Sequence, residues 1–431
     1  MTEQDPDEPV TDLDAAYGFV TRICFKIGPP RLLGLELEWL LADPRDHAVP
    51  LELSRLATAL GPYRPDGLGS VAGPVDPGAS GTLPRRSLVT VEPGGQVELS
   101  TVPCPSLPEL VAAADADADA LHAQLAAGGL RPLDVAADPW REPHRLRRTD
   151  RYDAMEAAFD RRGPAGRTMM CSTAAVQLNL DAGTEHGPDS FVRRWHALHV
   201  LGPALVAMFA NSAWAHGRSS GWKSARQAAW LAIDPARTAP PSGHDPREAY
   251  ARAALDAPLL IAAGGGRLPP RVSMRDWIGG ALDSPVRFAD LRYHLTTLFP
   301  PVRAQGHFEV RYLDAQAGRD WVVVAAVVAA LLSSSRVRDE AVAVALPTAG
   351  RWTDAARLAL DDPELAECAA ELMRLTLEAD LPAPIAAQVA AFAERYTFRG
   401  RCPADDWAGG PPLAVAEGST TIEGSTTMET R

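Results

Sequence analysis

The segment Leu33-Gly-Leu-Glu-Leu-Glu-Trp-Leu-Leu41 places two carboxylates, Glu36 and Glu38, two residues apart inside an apolar frame. A spacing of two is the side-chain period of a strand and not of a helix. Both carboxylates therefore leave one face, and Leu35, Leu37 and Trp39 leave the other. Like charges this close repel, and a solvated pair has little need of so apolar a frame. A divalent cation between them resolves the conflict, and oxygen donors of this kind suit Mg²⁺. The simpler alternative is the solvated outer face of an ordinary antiparallel strand. Further polar-faced strands elsewhere in the chain decide between the two.

Three more are present. Residues 85–101 read as a hairpin closed by Pro93-Gly94-Gly95, with Glu92 beside the turn and Gln96, Glu98 and Ser100 on one face of the second strand. In Thr173–Asp181, Gln177, Asn179 and Asp181 alternate with Val176, Leu178 and Leu180. In His307–Tyr312, His307, Glu309 and Arg311 alternate with Phe308, Val310 and Tyr312. If these faces line one concave sheet, they form a cavity rich in carboxylates and arginine, suited to a magnesium–nucleotide complex and an anionic small molecule. No Ser-His-Asp or Cys-His relay is readable.

The surroundings read as helices and connectors. The spacing predicts helices over 12–26, 50–62, 106–127 (with a capping-box start at Ser106 and Glu109), 151–160 and 191–212. Asp115, Asp117 and Asp119 fan around their helix and are expected on a solvated face. Residues 214–237, carrying Arg226, Trp230, Asp234 and Arg237, read as loop and turn. Gly264-Gly265-Gly266 lacks the strand-to-helix context of a phosphate loop and reads as a turn. Residues 66–81, rich in Gly and Pro, are a candidate closing loop. Trp321–Leu332 is apolar but falls short of the ~20 residues of a membrane span, so it reads as a buried helix. Residues 335–396 are Ala/Leu-rich helix, and 404–431 have little to pack.

Composition narrows the function. A net charge of −13 argues against nucleic acid and anionic membranes as partners, though not against ATP. All but two of the 42 basic residues are arginine, the lysines being Lys26 and Lys223. Five scattered cysteines without a C-x-x-C pair, and an acidic N-terminus lacking an apolar signal core, point to a reduced cytoplasmic protein. Cys171, beside Met169 and Met170, reads as a small packing residue and not as a nucleophile.

An ordered series of motifs carries a resemblance. It runs Gly34-Leu-Glu-Leu-Glu38, Val91-Glu-Pro-Gly-Gly-Gln-Val-Glu-Leu-Ser100, Gly166-Arg-Thr-Met-Met170, Val176-Gln-Leu-Asn-Leu-Asp181 and Phe209-Ala-Asn-Ser212. It continues through Asp234-Pro-Ala-Arg-Thr238, His294-Leu-Thr-Thr-Leu-Phe-Pro300 and Phe308-Glu-Val-Arg311. The series resembles the glutamate–cysteine ligase family, on its plant-type branch, and in particular the actinobacterial members that feed ergothioneine synthesis.

The resemblance implies an α+β, glutamine-synthetase-like fold, with a curved, mostly antiparallel sheet and surrounding helices. It covers residues 30–335, the core of an expected single catalytic domain over 1–403 whose part at 336–403 is helical, and the Gly/Thr/Glu-rich composition of 404–431 adds the expectation of a disordered tail. It also implies that ATP phosphorylates the side-chain carboxylate of L-glutamate, and that the amine of L-cysteine then displaces phosphate. The family's metal-binding carboxylates fall on Glu36, Glu38, Glu98 and Glu309, with Glu92 and Gln177 nearby. Its phosphate- and substrate-binding arginines fall on Arg226 and Arg311, with Arg237, Asn179 and Gln177 as further substrate contacts. A ligase using another amine, or a metal-binding protein without turnover, would keep the same motifs.

Overall fold

The alternating segments become neighbouring strands. The computed structural model describes residues 5–66, 68, 81–262, 269 and 271–410. Six strands form one sheet: β1 (Leu33–Trp39), β2 (Leu88–Val91), β3 (Val97–Ser100), β4 (Ala175–Leu180), β5 (Val302–Ala304) and β6 (Phe308–Asp314). Their order is β2-β3-β1-β4-β6-β5, and every pairing is antiparallel. The register aligns the polar faces. Glu36 stands opposite Gln177 and Glu38 opposite Glu98. Glu309 stands opposite Asn179 on one side and Arg303 on the other. Directly opposed residues leave the same face, so four chain segments contribute to one polar surface.

The other face is the core. Leu35, Leu37, Leu99, Val176, Leu178, Phe308 and Val310 are buried there in one continuous cluster that also takes in the C-terminal helices. Behind the sheet lie α1 (Leu107–Ala127), α4 (Phe191–Phe209) and α6 (Trp321–Leu331). Of the eleven residues of α6 only Ala329 is not buried, and each buried valine contributes about 1.5–3 kcal/mol relative to exposure. On the polar side, α2 (Asp150–Phe159), α3 (Ala165–Cys171) and α5 (Ala225–Ile233) pack on one another around a separate small cluster that includes Met155, Met169, Met170 and Phe299. The open antiparallel sheet with helices around it is the expected α+β arrangement.

Several local expectations change. Residues 225–233 and 235–238 are helical, the first capped by Ser224 accepting from the Gln227 amide. Asp117 is fully buried and accepts the amides of Arg85 and Ser87 at 2.5 and 2.9 Å, so it anchors the entry to β2 and is not solvated. Residues 403–407 form a helical turn, with Ala404 buried and its amide on the Ala210 carbonyl. The Gly264–Gly266 turn and nearly all of the 66–81 loop lie outside the described residues. Among the described residues no single helix is long and apolar enough to cross a membrane.

Candidate active site

The polar face floors a cavity of about 310 Å³. Glu36, Glu38, Glu92, Glu98, Gln177 and Arg311 line it, as does Arg303. The wall opposite the floor comes from the small cluster: Tyr152, Met155, Met169, Met170, Trp230 and Phe299.

Each floor residue is fixed by its strand. The Gln177 amide nitrogen donates to Glu36 Oε2 at 3.1 Å and to Glu38 Oε1 at 2.9 Å. Asn179 Nδ2 donates to Glu36 Oε1 at 2.9 Å, and the Ala175 amide to Glu38 Oε2 at 2.9 Å. Asn179 has room because Gly34 lies opposite it; a Cβ at 34 would stand 3.2 Å from the Cβ of Asn179. Glu98 accepts from Thr90 Oγ1 at 2.7 Å and from Ser100 Oγ at 3.1 Å.

The hairpin turn that carries Glu92 is pinned by Gln96. Its Oε1 accepts the Gly94 amide, and its Nε2 donates to the carbonyls of Met170 and Thr173 at 3.3 and 2.9 Å. Gly94 packs so tightly on Cys171 that any Cβ would overlap the Cys171 backbone.

Four carboxyls on one floor hold their protons unusually well. Desolvation, then the charges of Glu309 and Glu98, push Glu36 up to about 7. Glu38 is raised well above the carboxylate range by desolvation and by Glu98 and Glu92. Glu92 and Glu98 are raised as well, chiefly by desolvation. The acceptor oxygens Gln177 Oε1 and Asn179 Oδ1, both buried, find no hydrogen-bond donor among the described residues. An oxygen-only donor set with excess negative charge and spare acceptors fits a hard divalent cation. Among the described residues no three His, Cys, Asp or Glu side chains stand as a finished metal cage.

The arginines are distributed differently from the expectation. Arg311 lines the cavity; its Nη1 is paired with Glu309 and its Nε has no acceptor among the described residues. A bulge between Val310 and Leu313 lets Arg311 reach the floor while Tyr312 points into the core, its hydroxyl on the Leu198 carbonyl at 2.9 Å. Arg226, on α5, is buried on the polar side of the sheet and does not line the cavity. Its Nη2 donates to the Arg311 carbonyl at 2.6 Å, its Nη1 lies 3.8 Å from Asp314, and its guanidinium sits 4.7 Å from the Trp230 ring centre. Arg237 is not at the cavity: it donates to Thr297 O and Oγ1 at 2.9 and 3.0 Å and to the Pro258 carbonyl. Glu309 is fully buried, enclosed by Arg303, Arg311 and Gln305, and does not line the cavity.

The comparisons with known proteins bear on the whole chain. Residues 32–408 match the model of glutamate–cysteine ligase family 2. The chain belongs to that family. It is 35% identical over 427 residues to the glutamate–cysteine ligase EgtA of Mycobacterium tuberculosis, covering 95% of this chain and 94% of that one. It is 38% identical over 335 residues to EgtA of Mycolicibacterium smegmatis, covering 75% and 78%. The chloroplastic glutamate–cysteine ligase of Arabidopsis thaliana is 30% identical over 285 residues, covering 63% of this chain and 53% of the plant protein. Among solved structures, the glutamate–cysteine ligase of Francisella tularensis in complex with AMP aligns with a TM-score of 0.47 at 14% identity, over 89% of this chain and 85% of the other.

For this glutamate–cysteine ligase family member, sequence reasoning missed Arg303 and the wall. Arg303 sits on a strand of only three residues, too short for alternation to show. Its signal was the tight turn at Gln305-Gly306, which makes residues 302–304 the hairpin partner of β6. Tyr152, Met155 and Trp230 reach the cavity from helices, whose own periodicity marks them only as apolar. A larger cavity of about 530 Å³ lies beyond Gln96, lined by Trp140, Arg141 and Cys171 but by none of the floor's glutamates. Cys171 is buried, and burial pushes its thiol up to about 12.

Proposed function

We propose that this protein joins the side-chain carboxylate of L-glutamate to the amine of L-cysteine with cleavage of ATP to ADP and phosphate, and that the γ-glutamylcysteine formed feeds ergothioneine synthesis in a reducing cytoplasm. The observation that carries this reading is the cavity floor: four glutamates with raised affinity for protons and two spare amide oxygens, facing Arg311 and Arg303. Glu36, Glu38, Glu92 and Glu98 would hold Mg²⁺. The chemistry supplied there would be neutralisation of the nucleotide's phosphate oxygens by the divalent cation.

The chain's own groups account for the rest. Gln177 and Asn179 aim the carboxylates of Glu36 and Glu38. Arg311 presents a rigid fork to the phosphoryl group as it passes from ATP to the glutamate side chain, where charge must be stabilised. Arg226 fixes the backbone of Arg311 through its carbonyl. The amine of cysteine then attacks the acyl carbon; the C–N bond forms, the C–O bond to phosphate breaks, and the amine loses a proton. The apolar wall of Met155, Met169, Met170 and Phe299 keeps water from the acyl phosphate.

The decisive experiment is ADP release with L-glutamate, ATP and Mg²⁺, with and without L-cysteine, and with product mass measured over a panel of amines. Cysteine-dependent ADP with a matching γ-glutamylcysteine mass supports the reading. A better amine in the panel would replace cysteine as acceptor, and absence of turnover with every amine would leave a metal-binding protein.

A further inference from the structure

Glu309 has no acceptor capacity left for a cation. Arg303 Nε lies 2.6 Å from Oε2 and Arg303 Nη2 lies 2.9 Å from Oε1. Gln305 Nε2 donates to Oε2 at 2.7 Å, and Arg311 Nη1 pairs with Oε1. A carboxylate offers about four lone-pair sites, and these four donors fill them. The residue is also fully buried and absent from the cavity lining, whereas both arginines that hold it line the cavity. Arg303 stands directly opposite Glu309 across β5–β6, so its two-pronged grip is built into the hairpin register. Arg311, by contrast, lies in the bulge, where the ladder is interrupted and the backbone alone fixes a side chain less firmly.

We propose that Arg303 is a positioning residue for Arg311, acting through Glu309, and that Glu309 serves the reaction as the holder of this arginine pair and not as a ligand of the cation. The proposal rests on the ligase reading for the effect on turnover, but not for the effect on metal binding. Arg303 clamps Glu309; Glu309 then takes one edge of the Arg311 guanidinium and leaves its Nε without an acceptor among the described residues. Without Arg303 the Glu309 carboxylate can rotate, and Arg311 loses its fixed direction.

The test uses the purified full-length protein and five variants: Arg303→Gln, Arg303→Lys, Glu309→Gln, the Arg303→Gln/Glu309→Gln double and, as a control in the metal set, Glu38→Gln. Cysteine-dependent ADP release is measured against Mg²⁺ concentration, and the rise in Tm with Mg²⁺ is measured without substrates. We expect Arg303→Gln and Glu309→Gln to lower kcat about 10- to 100-fold while the half-saturating Mg²⁺ and the KM for cysteine stay within about twofold. The Arg303→Gln/Glu309→Gln double variant should be little worse than the weaker single variant, because both act in one unit. The Mg²⁺-induced rise in Tm should persist in Glu309→Gln and vanish in Glu38→Gln.

A tenfold or greater shift in half-saturating Mg²⁺ for Glu309→Gln, or loss of its Tm response, would restore it as a metal ligand and overturn the proposal. Wild-type kcat in Arg303→Gln would overturn it too. Should Arg303→Gln fail to fold, Arg303→Lys carries the same comparison, since it keeps the charge and loses the fork. If the wild type shows no cysteine-dependent turnover, the ligase reading fails. The Tm series then still decides the role of Glu309.

Discussion

Glu38 and Glu98 are direct partners across β1–β3, two carboxylates leaving the same face of adjacent strands. Like charges directly opposed in a sheet destabilise it, so the floor stores a repulsion that a cation relieves. Replacing either by Gln should raise the Tm of the metal-free protein at pH 8 while reducing ligation at least 100-fold. Thermal melts and ADP assays on Glu38→Gln and Glu98→Gln check both halves. A lower Tm in the metal-free variants would show that the pair is not repulsive.

The same floor sets a pH dependence. Glu36, at about 7, and Glu38, well above its ordinary value of 4.5, bind protons more tightly in the folded chain than in the unfolded one. The stability this brings is full below pH ~4.5 and is lost as pH rises through the folded values. We therefore expect the Tm of the metal-free protein to fall between about pH 5 and pH 8. Mg²⁺ should raise Tm more at pH 8 than at pH 5.5, since at the lower pH it must displace protons. A Mg²⁺ response that is flat or inverted over this range would argue against these carboxylates as its site.

Gly94 seats the hairpin turn against Cys171. Gly94→Ala must push the turn away from Cys171 and strain the Gln96 bonds to Met170 and Thr173. Overpacking of this kind costs about 1–3 kcal/mol, and Glu92 and Glu98 on either side of the turn would shift with it. We expect a matching loss in urea-denaturation stability together with at least a tenfold loss of turnover.

Cys171→Ala should behave in the opposite way. The thiol is buried, and its pKa of about 12 leaves it protonated at physiological pH, so the reaction has no use for it as a nucleophile. Most of kcat should survive, with at most a modest rise in the KM for cysteine. Complete loss of turnover, or a trapped glutamyl thioester on Cys171, would replace the acyl phosphate with a covalent route.

Arg226 and Asp314 are both almost fully buried, 3.8 Å apart, and Asp314 also receives the hydroxyls of Ser212 and Ser224. Arg226→Gln leaves that carboxylate without its cation, and breaking a buried pair costs about 3 kcal/mol or more. Denaturation midpoints should fall accordingly, and kcat should fall as well because the Arg311 carbonyl loses its donor. An unchanged kcat in a folded but less stable variant would confine Arg226 to a structural role.

What was legible in the sequence follows from strand periodicity. Glu36, Glu38, Glu98, Gln177 and Asn179 each alternate with apolar residues in segments of four or more, and the sheet brings them together as that alternation requires. Arg237 and Glu309 were named as site residues by their motifs. A motif records neighbours along the chain, though, and cannot show that Thr297 and Pro258 occupy the first, or that Arg303 and Gln305 enclose the second. Trp230 and Arg226 lie on a helix that the reading took for loop. Its Ala-rich sequence has weak amphipathic contrast, and the Ser224 cap was the signal that marked its start.

The bulge at Arg311–Tyr312 works on β6 as a frameshift works on a coding sequence. Before it, odd-numbered residues of β6 leave the polar face of the sheet; after it, Leu313 joins the core against Val176, and Asp314 turns to the polar side against Ala175. One strand thus delivers Arg311 to the substrate cavity and Asp314 to the buried polar cluster of Asn211, Ser212 and Ser224. An uninterrupted strand would have sent Asp314 into hydrocarbon. Deleting Tyr312 would restore plain alternation with Arg311, Leu313 and Asp314 on their present faces, so what the extra residue adds is the Tyr312 side chain in the core beside Leu313.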